Sequence, residues 1–178
     1  MTTSLEMLKL DTHAVGYFTS IVEPRQLDEG AKCSVDIDNT ELVEVYFDET
    51  DKETLYCKPL TSNDVTGYIV MSSEKLHYPE LETKANFWNG EGTMANVYVQ
   101  ESGTTFKTTN YACATEVEKG MYAQWKTGAS TACPKANGHF NITKEKPEGK
   151  NVFLVVNATT DETYELLSLP TVELQVLQ

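Results

Sequence analysis

Apolar and polar residues alternate in short runs along most of this chain, and the runs are interrupted every few positions by Gly, Asn, Asp, Ser or Pro. Ala95, Val97 and Val99 alternate with Asn96, Tyr98 and Gln100, the period-two pattern of a strand with one face buried and one wet. Glu101-Ser102-Gly103 ends that run, and Thr104 to Thr109 resumes it with branched and aromatic residues that suit a pleated sheet. Two runs joined by a three-residue Gly turn predict a hairpin.

The same texture extends in both directions from Gly30 onward. Cys33, Val35 and Ile37 alternate with Ser34, Asp36 and Asp38, and the Asn39-Thr40 turn leads into a strand at Leu42 to Phe47. Thr54 to Leu60 and Val65 to Ser72 predict two more, separated by Ser-Asn-Asp. After a loop of small and turn residues from Thr127 to Gly138, short strands are expected at His139 to Thr143 and at Asn151 to Ala158. The second contains VFLVV, a run suited to burial on both faces. Asp161-Glu162 is expected to turn the chain into final strands at Tyr164 to Leu169 and Thr171 to Leu177, with Pro170 marking a bend or sheet edge. Roughly nine to eleven strands describe an all-β fold, a small barrel or sandwich of short antiparallel strands. Helix is scarce, with room for one turn between Asn110 and Gly120.

Residues 1–27 differ. Leu5, Met7, Leu8, Leu10, Val15, Tyr17, Phe18, Ile21 and Val22 are apolar, but their spacing fits neither a sustained helix nor a clean strand. Leu5 to Leu10 suit one or two helical turns capped by Ser4, before Gly16 and Pro24 interrupt. The expected organisation is an extended N-terminal arm over 1–27 and a single β domain over 28–178. Such an arm is ordered only when tied down, either on its own domain or on a neighbouring subunit.

Charge narrows the partners. Against 14 basic residues stand 27 acidic ones, a formal charge of −13 that repels nucleic acid and anionic lipid, so neither is an expected partner. No apolar run is long enough for a membrane-spanning helix, and the N-terminus lacks the basic start and apolar stretch of a secretory signal, which points to synthesis in a cytoplasm. Cys33, Cys57, Cys113 and Cys133 lie far apart with no C-x-x-C pair, which argues against zinc, and reduced, partly buried thiols are favoured over disulfides.

Catalytic patterns are lacking. His13, His77 and His139 sit singly, and each is expected at the surface or in a loop. There is no nucleophile elbow, P-loop or dinucleotide fingerprint, so the expectation is a protein that is not an enzyme and takes no cofactor or metal. Asp36-Ile37-Asp38-Asn39-Thr40-Glu41 supplies carboxylates but places Glu41 where a calcium loop needs Gly, so a strand and turn with acids facing water is favoured. The aromatics are more informative. Trp88 and Trp125, each beside turn residues, suit either the ends of a barrel or a contact face.

Three features taken in order resemble the decoration and minor capsid proteins of tailed bacteriophages. They are the arm with Gly16-Tyr17-Phe18-Thr19-Ser20, the segment Met94 to Thr109 (MANVYVQESGTTFKTT), and Val117-Glu118-Lys119-Gly120-Met121-Tyr122 before a final β segment. The resemblance covers most of the chain in layout and about thirty residues in motif. It implies a structural virion protein on the capsid surface that binds the outer face of the major capsid protein lattice. It also implies a homo-oligomer, with a trimer the first expectation from three-fold lattice junctions. The candidate partner contacts are Leu5, Leu8, Leu10, Tyr17, Phe18, Trp88 and Trp125. The alternative is a carbohydrate- or receptor-binding β module of a phage fibre or surface adhesin, acting through Trp88, Trp125 or Tyr122.

Overall fold

A computed structural model of the chain describes residues 13–22, 24–72, 87–164 and 167–177, with the backbone alone at 159–164 and 167–169. Thirteen strands are found among these residues: β1 Gly16–Phe18, β2 Ala31–Cys33, β3 Leu42–Phe47, β4 Leu55–Pro59, β5 Tyr68–Val70, β6 Met94–Ala95, β7 Val97–Tyr98, β8 Thr105–Thr108, β9 Tyr111–Cys113, β10 Tyr122–Thr127, β11 Gly138–Thr143, β12 Val152–Tyr164 and β13 Leu167–Val176. The fold is all-β, as the alternation predicts. No described residue is helical, including those from Asn110 to Gly120 where a turn of helix was expected.

The strands form two sheets. One runs β6-β2-β4-β3-β5-β7 and the other β1-β8-β13-β12-β10-β11-β9. In the six-stranded sheet the two outermost strands, β6 and β7, are separated in sequence only by Asn96. One continuous stretch therefore pairs with β2 at one end, through Ala31 and Ala95, and with β5 at the other, through Ile69 and Tyr98. That shared stretch closes the sheet into a small barrel, which removes the exposed edges an open sheet would leave. Ala31, Cys33, Val43, Cys57, Val70, Ala95 and Val97 cluster as its apolar filling.

The second sheet repeats the device. Strands β8 and β9 are separated only by Thr109 and Asn110, and the sheet curls until β8 lies on β13 while β9 lies on β11. Its concave face holds Phe106, Trp125, Phe140, Phe153, Val155 and Leu174. Leu42, Ile69 and Tyr98, which alternate with the barrel's filling along β3, β5 and β7, join this same cluster and cement the two sheets together. Phe106, Phe140 and Phe153 meet edge-on or tilted at 5.1–5.7 Å between ring centroids, the geometry in which ring quadrupoles attract.

A repeat underlies both sheets. Strand β2 lies parallel to β4, β4 antiparallel to β3 and β3 antiparallel to β5; β9, β11, β10 and β12 repeat those relations in the same order. Cys33, Asp38, Thr40 and Glu41 recur at one constant offset as Cys113, Glu118, Gly120 and Met121. The turns before β3 and β10 match in detail. Thr40 and Gly120 both have left-handed φ, at 68° and 92°. Thr40 N–H donates to Val70 O at 2.7 Å, and Gly120 N–H donates to the equivalent Val155 O at 2.8 Å. The two parallel pairs, β2 with β4 and β9 with β11, modify the purely antiparallel expectation.

Two local expectations are corrected. Val97 and Phe106 do not belong to one hairpin, because β7 pairs with β5 in the barrel and β8 pairs with β1 and β13 in the other sheet. The Gly103 turn is held by β13 instead, with Gly103 N–H donating to Val176 O at 3.1 Å and Val176 N–H to Thr104 O at 2.9 Å. Nor does Asp161-Glu162 turn the chain: β12 runs through it and pairs with β13 as far as Tyr164 and Leu167. A bulge between Thr159 and Glu162 lies opposite Pro170, which has no N–H to give the ladder.

Beyond Asn157 on β12 and before Val172 on β13, the two strands pair, among the described residues, only with each other, since β10 reaches only Val152 to Leu154 and β8 only Val172 to Gln175. The result is a two-stranded ribbon running out from the sheet. From His13 onward the N-terminal segment is part of the β body. Strand β1 pairs with β8, Leu27 N–H donates to Val97 O and Val99 N–H to Arg25 O. Only glycine fits at Gly16, where a Cβ would stand 2.2 Å from Thr40 Cγ2 and 2.3 Å from Lys107 O.

Candidate functional site

The densest buried polar cluster lies where the N-terminal segment crosses the turn before β3. Asp38, Asn39, Thr40 and Glu41 are buried, so the expectation of solvated acids holds for Asp36 alone in this segment. A buried carboxylate must be hydrogen-bonded, and Glu41 is. It accepts the N–H groups of Asp38 at 2.9 Å and Gly138 at 3.1 Å, the backbone N–H of Asn137, and the Asn137 amide at 3.0 Å. Burial, and then the neighbouring Asp38 charge, outweigh these bonds and raise its pKa to about 7.

Asp38 ties in the third segment. One of its oxygens meets His13 Nδ1 at 2.7 Å and the other accepts the Ala14 N–H at 2.7 Å. Val15 N–H donates to Thr109 Oγ1 at 2.9 Å, and Thr40 and Thr108 hydroxyls meet at 2.7 Å. Residues 13–15, 36–41 and 130–138 are thus knotted together, although the last two are far apart in sequence. His13 lies in a loop, as expected, but is buried there, whereas His139 is buried within β11, contrary to the surface or loop placement expected; His139 Nδ1 contacts Gly128 O at 2.7 Å, and since a carbonyl only accepts, that nitrogen carries the proton. His77 lies outside the described residues.

The contact residues expected from sequence separate into groups. Leu5, Leu8 and Leu10 lie outside the described residues. Tyr17 and Trp88 face outward, 40% and 43% exposed. The Trp88 ring stacks on His13 at 4.7 Å and 19°, so the polar knot also braces an exposed indole. The Lys107 ammonium sits 5.9 Å from the Tyr17 ring centroid. Phe18 points inward against Tyr98 and Phe106. Trp125 is 3% exposed and donates its indole N–H to Leu60 O at 2.9 Å. It belongs to the core, which removes it from any contact face and leaves the carbohydrate alternative without one of its two tryptophans. Sequence reasoning passed over Phe47, Val35 and Met94 as surface groups, although they are exposed, as are Ile21 and Val22, which it noted only as apolar.

A surface concavity of about 370 Å³ lies against β2, β3 and β4 of the barrel, lined by Lys32, Cys33, Tyr46, Asp48, Tyr56 and Glu91 among others. Across its wall Lys32 lies over Tyr56, Tyr56 stacks on Tyr46 at 5.8 Å and Lys58 lies over Tyr46. These are cross-strand neighbours on β2, β4 and β3, so the ladder follows directly from register. Among the described residues no cluster of three or more His, Cys, Asp or Glu side chains converges as a metal site.

A protein family described as YonC prophage protein matches residues 9–177, nearly the whole chain. The chain belongs to that family. It is therefore a phage-derived protein, and the YonC match covers both sheets and the knot between them. No curated protein and no solved structure matches the chain.

Proposed function

We propose that this YonC-family chain is a structural virion protein, a capsid decoration protein that binds the outer surface of the major capsid protein lattice and stabilises the shell. The observation that carries the reading is the β12–β13 ribbon. An isolated two-stranded ribbon is only marginally stable in water, and since no other strand among the described residues pairs with it, its outer edges suit strand addition by a partner. Its prophage family, its net charge and the outward-facing Tyr17, Ile21, Val22 and Trp88 support the same reading. A protein that binds only the assembled lattice stabilises it by linkage, and many weak copies add their free energies. In this reading the chain acts as a homo-oligomer, a trimer at three-fold junctions.

The test is sedimentation of purified protein with shells of the same phage assembled without it. The full chain should pellet with the shells. A variant with residues 159–170 replaced by a short Gly-containing turn should stay folded and lose at least about tenfold in affinity, the loss of roughly 1.4 kcal/mol. Absence of the full chain from the pellet at saturating concentration sinks the proposal.

A further inference from the structure

Cys33 and Cys57 stand directly opposite each other on the parallel strands β2 and β4, inside the barrel. Neighbouring strands lie about 4.8 Å apart, within the Cα separations that disulfides bridge. Their sulfurs are already 3.9 Å apart, with Cys57 Sγ donating to Cys33 Sγ and to Ala31 O. Both thiols are free. The two are not equivalent, because Cys33, 2% exposed, borders the concavity beside β2, whereas Cys57 is fully buried and does not.

We propose that Cys33 and Cys57 form a latent redox pair, in which Cys33 reacts with a small cationic disulfide admitted from the concavity beside β2 and Cys57 then closes an internal disulfide across β2 and β4. In the first step the Cys33 thiolate attacks one sulfur of the reagent, such as cystamine. A Cys33–S bond forms, the reagent's S–S bond breaks, and one cysteamine leaves with the proton Cys33 gave up. In the second step Cys57 attacks the Cys33 sulfur, the Cys33–Cys57 bond forms, and the second cysteamine departs with the Cys57 proton. The pair loses two electrons and cystamine gains them.

The order of attack follows from the hydrogen bond. Donation from Cys57 lowers the Cys33 pKa below its ordinary value, while the same bond and burial raise that of Cys57. The charge class follows from the rim, where the carboxylates of Asp48 and Glu91 outnumber the ammonium of Lys32. Anionic glutathione disulfide should accordingly react more slowly than cystamine. The inference is independent of the capsid reading, since it rests on the barrel interior.

The experiment is incubation of the folded, full-length protein with cystamine, followed by thiol blocking and tryptic mass mapping. The expected product joins peptides 33–52 and 53–75, since trypsin does not cut between Lys58 and Pro59, with loss of one H₂. It should raise Tm by roughly 10 °C, the effect of closing a loop of this length. Cys57→Ser should stall with cysteamine on Cys33, and Cys33→Ser should leave Cys57 unmodified. Should either variant fail to fold, the wild-type map alone decides. Free Cys33 and Cys57 after prolonged exposure of the folded protein, a link involving Cys113 or Cys133 instead, or faster reaction with glutathione disulfide overturns the proposal.

Discussion

The four strands β2 to β5 and the four strands β9 to β12 share one topology and one turn geometry but are filled differently. The first unit encloses small residues, Cys33, Val43, Cys57 and Val70, whereas the second packs Trp125, Phe140 and Phe153. The contrast is sharpest at one turn. In the second unit Glu118 N–H finds only the sulfur of Met121, at 3.4 Å. In the first, the equivalent Asp38 N–H donates to the Glu41 carboxylate, which has enough acceptor capacity left to hold Asn137 and Gly138 as well. Backbone hydrogen bonding defines the unit; a single side chain decides whether its turn also binds a distant loop.

Exchanges between the units break or sharpen that comparison. The largest effect belongs to the aromatic filling: Phe140→Ala should cost about 3–5 kcal/mol in chemical denaturation, through lost burial and the cavity left behind. An equally large loss from Val43→Ala, in the small-residue barrel, would contradict the contrast. Next comes Glu41→Met, which installs the second unit's residue in the first. It leaves the N–H groups of Asn137 and Gly138 without their carboxylate and should cost about 2–4 kcal/mol.

The same carboxyl imposes a pH dependence. Its pKa is raised from 4.5 to about 7 on folding, so between those values the folded state holds a proton that the unfolded state has released. Stability from this group is complete below pH 4.5 and is lost as pH rises to about 7. The loss is on the order of 3 kcal/mol. Urea midpoints for wild type and Glu41→Gln, followed across that window, should show the slope only in wild type. The smallest effect is at the shared left-handed position: Gly120→Thr, the residue of the first unit, should cost about 1–2 kcal/mol from positive φ alone, because its Cβ meets nothing within 4 Å. Calorimetric Tm values check it.

Strand content was legible because alternation survives whichever sheet a strand joins. Partnership was not. Val97 and Phe106 are buried in both a hairpin and a crossover between sheets, and only the bonds of Gly103 and Thr104 to β13 distinguish the two. Trp125 and Phe18 gave no sign of facing inward, since an aromatic beside a turn suits a core rim and a contact face equally. Glu41 was hidden for a different reason: an acid in a D-x-D-x-x-E run looks solvated until the N–H groups that satisfy it are seen, and three of its four donors lie almost a hundred residues away, on Asn137 and Gly138. A signal for the duplication was present in Cys-x-x-Asp-Ile-Asp and Cys-x-x-Glu-Val-Glu, beginning at Cys33 and Cys113.

The proposal that this chain decorates a capsid is tested most directly by cryo-electron microscopy of particles produced by the prophage with the chain present and with it deleted. The expected result is density of this double-sheet shape on the outer surface at lattice junctions, with the β12–β13 ribbon against the major capsid protein, and its loss from the deletion particles. Identical shells from both sources, with the chain left in the cell fraction or confined to the tail, would contradict it.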